Sequence, residues 1–193
     1  MENKEFFTQT IVDWFSKNQR DLSWRKTRDP YKIWVSEIIL QQTQVSRGLA
    51  FYNRFVERFP TVYDLAQASW EELFEVWRGL GYYHRAKSML KTAQIIRDEF
   101  KGQFPLDIRS LESLPGIGKY TARAILSFAF HHDVPVVDTN ISRVLQRFFN
   151  LSNDKNVIWD AMHTLVPPNL SRDFNQGVME LGALVCAAHT NSY

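Results

Sequence analysis

Leu114-Pro115-Gly116-Ile117-Gly118-Lys119-Tyr120-Thr121-Ala122 is the stretch on which the fold turns. Two glycines two apart let the backbone reverse sharply and come close to a ligand. The helix that follows would present unpaired N–H groups and the positive end of its dipole, a ready phosphate site, with the Lys119 charge beside it. An ordinary turn between helices meets the same G-x-G spacing, and it is the flanking Leu-Pro and Thr-Ala that make the pattern more specific. Residues 107–114 before it and 120–130 after it repeat apolar side chains at helical spacing, so the stretch reads as a tight connection between two helices.

Working outward, the same period recurs almost everywhere. Phe7, Ile11, Trp14 and Phe15 mark a first helix, and Pro30 opens a second that runs through Gln44. Further helical stretches cover residues 49–59, stopped by Pro60, then 69–76, 84–100, 141–149, 156–166 and 172–186. Val134 to Val137 is a short apolar run, read as an extended approach to the helix that Asp138-Thr139-Asn140 caps. All seven prolines and most of the eight glycines fall between periodic stretches, as punctuation does in a helical protein. The expectation is an all-α fold of roughly ten helices, without internal repeat or flexible linker.

Composition bounds the function. With 193 residues, 45% hydrophobic and 14% aromatic, the chain has enough apolar side chain for a core and is no low-complexity segment. No uncharged apolar run reaches the ~18 residues of a membrane span, and the first residues lack the pattern of a signal peptide. A soluble, cytoplasmic monomer is expected, nucleoid-associated if bacterial. The net charge of +2 is compatible with nucleic acid but does not by itself point to it. A single cysteine, Cys186, excludes an internal disulfide and cannot alone hold zinc or an iron–sulfur cluster.

Two carboxylates carry the chemistry. Asp138 follows an apolar run and precedes a helix, so it is placed to cap it, a role compatible with catalysis. Glu37 lies in Trp34-Val35-Ser36-Glu37-Ile38-Ile39-Leu40, where apolar residues occupy nearly every helix face. Shielding from water there would favour the protonated acid, whereas an outward rotation or pairing with an arginine would give a structural role instead. Gln41-Gln42-Thr43-Gln44 adds an uncommon polar cluster expected on the same helix.

The Leu114–Ala122 stretch resembles the hairpin of helix-hairpin-helix DNA-binding proteins, which grips the DNA backbone through Gly116, Gly118 and Lys119, in some cases with a monovalent cation on the turn carbonyls. With Asp138 about 20 residues downstream, the arrangement resembles the helix-hairpin-helix DNA glycosylases, in the endonuclease III-like group. Trp24-Arg25, Asp29-Pro30-Tyr31-Lys32, Ser36-Glu37, Leu40-Gln41-Gln42-Thr43-Gln44-Val45, Gly79-Leu80-Gly81-Tyr82-Tyr83 and Leu181-Gly182-Ala183-Leu184-Val185-Cys186 are similar to blocks of the catalytic domain of MutY-type adenine DNA glycosylases, over about residues 6–186. The resemblance implies excision of adenine mispaired with 8-oxoguanine or guanine in double-stranded DNA, the first step of base-excision repair. By position, Glu37 matches the acid that protonates adenine and Asp138 the carboxylate that stabilises the sugar cation, with Tyr120 and Asn140 in support. Gln42 and Tyr82 match residues that fill the gap left by a flipped base. Trp24, Arg25, Leu40 and Gln176 match positions around the base pocket, and Leu80 lies in the glycine turn beside Tyr82. Tyr120 stands where the endonuclease III branch has a lysine that attacks the sugar, so a monofunctional glycosylase is expected.

Three features depart from that family. Cys186 would be the first of four cysteines around a [4Fe–4S] cluster, yet Ala187-Ala188-His189-Thr190-Asn191-Ser192-Tyr193 supplies no other, so a cluster would need cysteines beyond Tyr193 and no cofactor is expected within this chain. The family's 8-oxoguanine-recognition domain is not in the sequence either. Thr139 stands where adenine glycosylases usually have glycine, and Ser142 receives no role. The expected architecture is a central bundle of residues 26–133 and a second helical subdomain of 1–25 with 134–193, with Glu37 and Asp138 on opposite walls of a cleft. The rivals are a thymine·guanine or oxidised-pyrimidine glycosylase of the same superfamily, and a DNA-binding remnant without turnover.

Overall fold

A computed structural model describes residues 2–188. Among them are eleven α-helices, one 3₁₀ turn and no strand, as the periodicity predicts. In chain order these are α1 (Glu2–Asn18), the 3₁₀ turn Ser23–Arg25, α2 (Pro30–Leu40), α3 (Val45–Arg58), α4 (Val62–Gln67), α5 (Trp70–Trp77), α6 (Tyr83–Asp98), α7 (Ile108–Glu112), α8 (Lys119–Phe130), α9 (Thr139–Phe149), α10 (Lys155–Leu165) and α11 (Ser171–Leu184). None of the described helices is long and apolar enough to cross a membrane. The chain divides into two compact units, residues 21–130 and residues 1–20 with 131–193.

In the first unit α2 is the axial helix. Tyr31 and every residue from Ile33 to Ile39 are buried, because α8 packs on one side and α3 on another. Pro30 at the first turn and the Asp29 carboxylate, which accepts from the Tyr31 N–H at 2.9 Å, start the helix cleanly. The periodicity predicts one helix from Pro30 through Gln44; instead α2 ends at Leu40, and Gln41 to Gln44 form a turn. Gly48 explains why the chain reverses so soon. A side chain there would stand 2.7 Å from Leu40 Cδ2, so the missing side chain lets α3 lie against the end of α2. The short helix α4 escapes a periodicity reading because it has under two turns. Its start is nevertheless encoded, since Thr61 and Asp64 form a reciprocal capping box, as Ser69 and Glu72 do at α5.

The second unit packs α1, α9, α10 and α11 around Phe7, Ile11, Ile141, Val144, Leu145, Ile158, Met162, Leu165, Phe174 and Val178. Between α1 and α11 the approach is closest at Gly177, where a Cβ would meet Ile11 Cγ2 at 2.7 Å. The same pair of helices is tied by a charge. Glu180, fully buried, accepts from Arg20 Nε at 2.9 Å and Nη2 at 2.7 Å, and from the Arg20 backbone N–H at 2.8 Å.

Removing the guanidinium would leave the Glu180 carboxylate in the core without its bidentate partner. Because 34% of the Arg20 side chain still meets solvent, we expect Arg20→Ala to cost about 3 kcal/mol, the lower end for breaking a buried pair. Adding Glu180→Leu should return most of that loss. Urea unfolding of the two variants measures both effects.

Candidate active site and nucleic-acid interface

In the unit of residues 21–130, the hairpin between α7 and α8 is seated on α6. Thr92 donates its hydroxyl to the Pro115 carbonyl at 2.8 Å, and the Ile117 N–H closes the turn onto the Leu114 carbonyl at 3.1 Å. The two glycines differ in kind. Gly116 has φ +78, and a Cβ there would stand 2.8 Å from Ser88 Cβ, so both backbone and packing demand glycine. Gly118 has ordinary φ and nothing within 4 Å of where a Cβ would lie. Its bareness faces open space, next to exposed Lys119 and the first turn of α8.

Glu37 is 8% exposed, on the last full turn of α2, flanked by buried Ser36 and Ile38. Tyr120, half-buried, lies in the first turn of α8, the helix that packs along α2. Trp24 is buried with its ring edge-on to Tyr52, 5.3 Å between centroids, and Leu80 is also buried, while Arg25 and Leu40 are partly exposed.

Gln42 and Tyr82 occupy equivalent backbone positions on two separate turns. Both are left-handed, φ +57 and +48, and both are exposed, Tyr82 at 50%. Gly79 and Gly81 around Tyr82 are left-handed too, at φ +93 and +83. Between the turns lies Arg85, a residue the sequence did not single out. Its Nη1 donates to the carbonyls of Ile38 at 2.8 Å, Ile39 at 3.2 Å and Gln41 at 2.6 Å, and its Nη2 to Gly81 at 3.3 Å. The guanidinium lies over the Trp77 and Tyr82 rings, 5.4 and 5.3 Å from their centroids. Burial pushes its pKa down from the usual arginine value. A signal was available: Arg85 shares a helix face with Met89, Thr92 and Ile96, all buried, and a cation on an apolar face needs acceptors.

In the other unit Asp138 caps α9. One carboxylate oxygen accepts from the Ile141 N–H at 2.7 Å and the other from Asn140 Nδ2 at 2.9 Å. Arg143 Nη2 donates to Asn140 Oδ1 at 2.8 Å, which forces the amide's NH₂ toward Asp138. Ser142, given no role from sequence, donates to the Asp138 carbonyl at 2.8 Å. Burial pushes the Asp138 carboxyl up from the ordinary aspartate range; the N–H of Ile141, the Asn140 amide and the Arg143 charge pull against it without cancelling it. Gly182 of α11 packs on Asn140, where a Cβ would meet Asn140 Cβ at 2.7 Å, and Gln176 is buried on the same helix.

Cys186 packs against the core of that unit. Its carbonyl accepts from Arg143 Nε at 2.7 Å and its Sγ from Arg147 Nη1 at 3.2 Å. A four-iron cluster takes four thiolates; this chain has one, and among the described residues no group of His, Cys, Asp or Glu is gathered to hold a metal. The donor set here does not fit such a cluster. His189 to Tyr193 lie outside the described residues.

The family model described as HhH-GPD superfamily base excision DNA repair protein matches residues 35–168. The chain belongs to that superfamily. Adenine DNA glycosylase of Buchnera aphidicola subsp. Acyrthosiphon pisum is 38% identical over 190 residues, 95% of this chain and 54% of that protein. The Homo sapiens protein of the same name is 40% identical over 195 residues, 93% of this chain and 36% of its own length. This chain thus spans about half the length of the Buchnera protein, and less of the human one. Among solved structures, a thermostable thymine-DNA glycosylase superposes with a TM-score of 0.89 at 30% identity, over 98% of this chain and 90% of that one. Endonuclease III trapped on DNA gives 0.85 at 22%, covering 98% and 89%, a likeness of fold.

The cap and the titration of Asp138 can be separated. Asparagine still caps through the Ile141 N–H but sets its own NH₂ against that of Asn140, so Asp138→Asn should lower the melting temperature by less than Asp138→Ala, which should cost about 1 kcal/mol. An unfolded aspartate titrates near pH ~3.9 and the folded one higher, so the folded state holds the proton across that window and wild-type stability falls as pH rises through it. The Asn variant lacks that slope. Its stability relative to wild type should therefore rise as pH rises through the window and then level off, which thermal melts across a pH series would read.

Proposed function

We propose that this chain hydrolyses the N-glycosidic bond of adenine mispaired with 8-oxoguanine or guanine in double-stranded DNA, without cutting the strand. The observation that carries this reading is the contrast between its two carboxylates. Glu37 is buried among the apolar side chains of α2 and takes the role of proton donor; Asp138 is gripped by N–H donors and backed by an arginine, and takes the role of the charge that faces the sugar. Similarity to proteins named adenine DNA glycosylase selects the base.

The chemistry follows from that pairing. Adenine is a poor leaving group until a ring nitrogen is protonated, and Glu37 supplies the proton. As the C–N bond breaks, its electron pair leaves with the base and positive charge develops on the sugar, where Asp138 stabilises it. Water then bonds to the sugar carbon and gives up its proton, so atoms and charge balance. Both carboxylates must act on one nucleotide, and that nucleotide must leave the stack, at a cost of a few kcal/mol. Gln42 and Tyr82, exposed on their turns, are suited to occupy the gap. Tyr120 has no amine and forms no Schiff base with the sugar. The hairpin binds the DNA backbone through Gly118, Lys119 and the N–H groups of α8. A monovalent cation there would use the second lone pairs of the Leu114 and Pro115 carbonyls, each of which already accepts one bond. The same reading takes the protein as a monomer acting on DNA in the cytoplasm.

A second reading, excision of thymine from thymine·guanine pairs, is favoured by the likeness to the thymine-DNA glycosylase and by Thr139. Single-turnover assays on duplexes carrying A·8-oxoguanine, A·G, T·G or thymine glycol separate the two. We expect adenine release from the first two, strand breakage only after alkali, and a fall of about 10²-fold or more in Glu37→Gln. Release from T·G alone would establish the rival, and equal inactivity of wild type and Glu37→Gln with duplex binding intact would make the chain a binding remnant.

The hairpin glycines give an independent check. Gly116→Ala should lower thermal stability, since a Cβ strikes Ser88 and φ is positive. Gly118→Ala should melt like wild type yet bind every duplex more weakly, whatever its sequence, because the added methyl occupies space a phosphate would use. Filter binding beside melting curves tests both.

A further inference from the structure

Gln42 and Tyr82 belong to turns 40 residues apart in the chain, and each is held in a left-handed conformation that an ordinary side chain adopts reluctantly. Such turns persist only where the surroundings fix them. In both cases the fixing group is the same. Arg85 reaches the Gln41 carbonyl on one turn and the Gly81 carbonyl on the other, while its face covers the Tyr82 ring. Its remaining bonds go to the carbonyls of Ile38 and Ile39 at the end of α2, the first of which otherwise takes only the long 3.4 Å bond from the Gln41 N–H. Ile38 directly follows Glu37. Trp77 Nε1 also donates to the Gly81 carbonyl, at 2.9 Å, and Arg47 Nη2 donates to the Gly79 carbonyl, so the second turn is tied from beneath as well. Every acceptor of the buried Arg85 guanidinium is a backbone carbonyl, and its Nε has none among the described residues. A charge buried at this cost without an acidic partner is not there to form an ion pair.

We infer that Arg85 is a positioning residue that locks the Gln42 turn, the Tyr82 turn and the last turn of α2 into one rigid unit. The inference rests on the proposed function, because it is the entry of Gln42 and Tyr82 into DNA that gives the lock its use. Through it, force from the duplex on either turn is borne by the helix that carries Glu37. Lysine at the same place keeps the charge but has no planar fork, and so cannot serve both turns at once.

The test uses Arg85→Lys, Tyr82→Ala and the double variant. Hydrogen exchange should quicken in Arg85→Lys at both turns, at the Thr43 amide that closes the first and at the Leu80 amide, whose bond to the Trp77 carbonyl leads into the second. Single-turnover excision of adenine should slow by at least about tenfold, since displacement of positioned groups by an ångström costs up to ~100-fold. Affinity for undamaged duplex should stay within about twofold, and the double variant should be no slower than about the worse single one, because the two changes break one unit. Exchange unchanged at either turn, or fully multiplicative rate losses, would overturn the lock. If Arg85→Lys does not fold, the wild type still decides: one lock makes the two amides open together, with opening constants equal within about threefold, and clearly unequal opening overturns it. A wild type that excises no adenine would sink the functional reading alone, with exchange still judging Arg85.

Discussion

The first unit depends on α2 being buried on nearly every side. Such a helix can only run through the middle of its unit, as the burial of Tyr31 and of Ile33 to Ile39 shows. Three consequences meet at its C-terminal end. A glutamate in its last full turn is carried into the interior with its neighbours. The carbonyls of that turn lose their regular i+4 partners where the helix stops and draw donors from elsewhere in the protein. And the chain, leaving a buried helix, has only the gap beside Gly48 through which to double back. Arg85 meets the second demand while shaping the third, so acid, turn and buried cation are aspects of one packing problem.

Asp138 shows the opposite economy of parts. A helix start needs an acceptor for its first N–H groups, and an anion needs donors to hold it ionised inside a protein; one carboxylate meets both needs. The residues around it refine that bargain. Asn140 alone could turn either end of its amide to the carboxylate, but Arg143 leaves only one orientation satisfied. Arg143 also takes the carbonyls of Gly182 and Cys186, so the end of α11 is fastened to the same cap. That fastening is made of hydrogen bonds from α9.

What could be read from the sequence was what depends on local pattern. The hairpin is written in glycine spacing, the Asp138 cap in the change from apolar run to helix, and the burial of Glu37 in the composition of its neighbours. What could not be read depends on contacts distant in the chain. Gln41 to Gln44 continue a helical pattern, and only the approach of α3 over Gly48 breaks it. Arg85 looks like any surface arginine until the carbonyls 44 to 47 positions upstream are seen beneath it. Ser142, assigned nothing, is bound to the backbone of the residue it follows by four. The helix α4 was missed for the other reason: it is too short to show a period, although its capping box stands in plain view.

The proposed reaction sharpens why the two carboxylates stand on different elements. Burial among apolar side chains favours the neutral form of a carboxyl, while hydrogen-bond donors favour the ionised form. Side by side on one helix, each environment would spoil the other: the donors would ionise the acid, and the apolar wall would protonate the anion. The chain sets Glu37 in the last full turn of α2, among buried apolar side chains, and Asp138 at the start of α9, about a hundred residues on. The raised pKa of Asp138 shows that even a well-supplied cap does not fully escape the effect of burial. A developing positive charge on the sugar would favour the ionised form, so an aspartate strained toward neutrality in the resting protein gains more from that charge than a fully solvated one would.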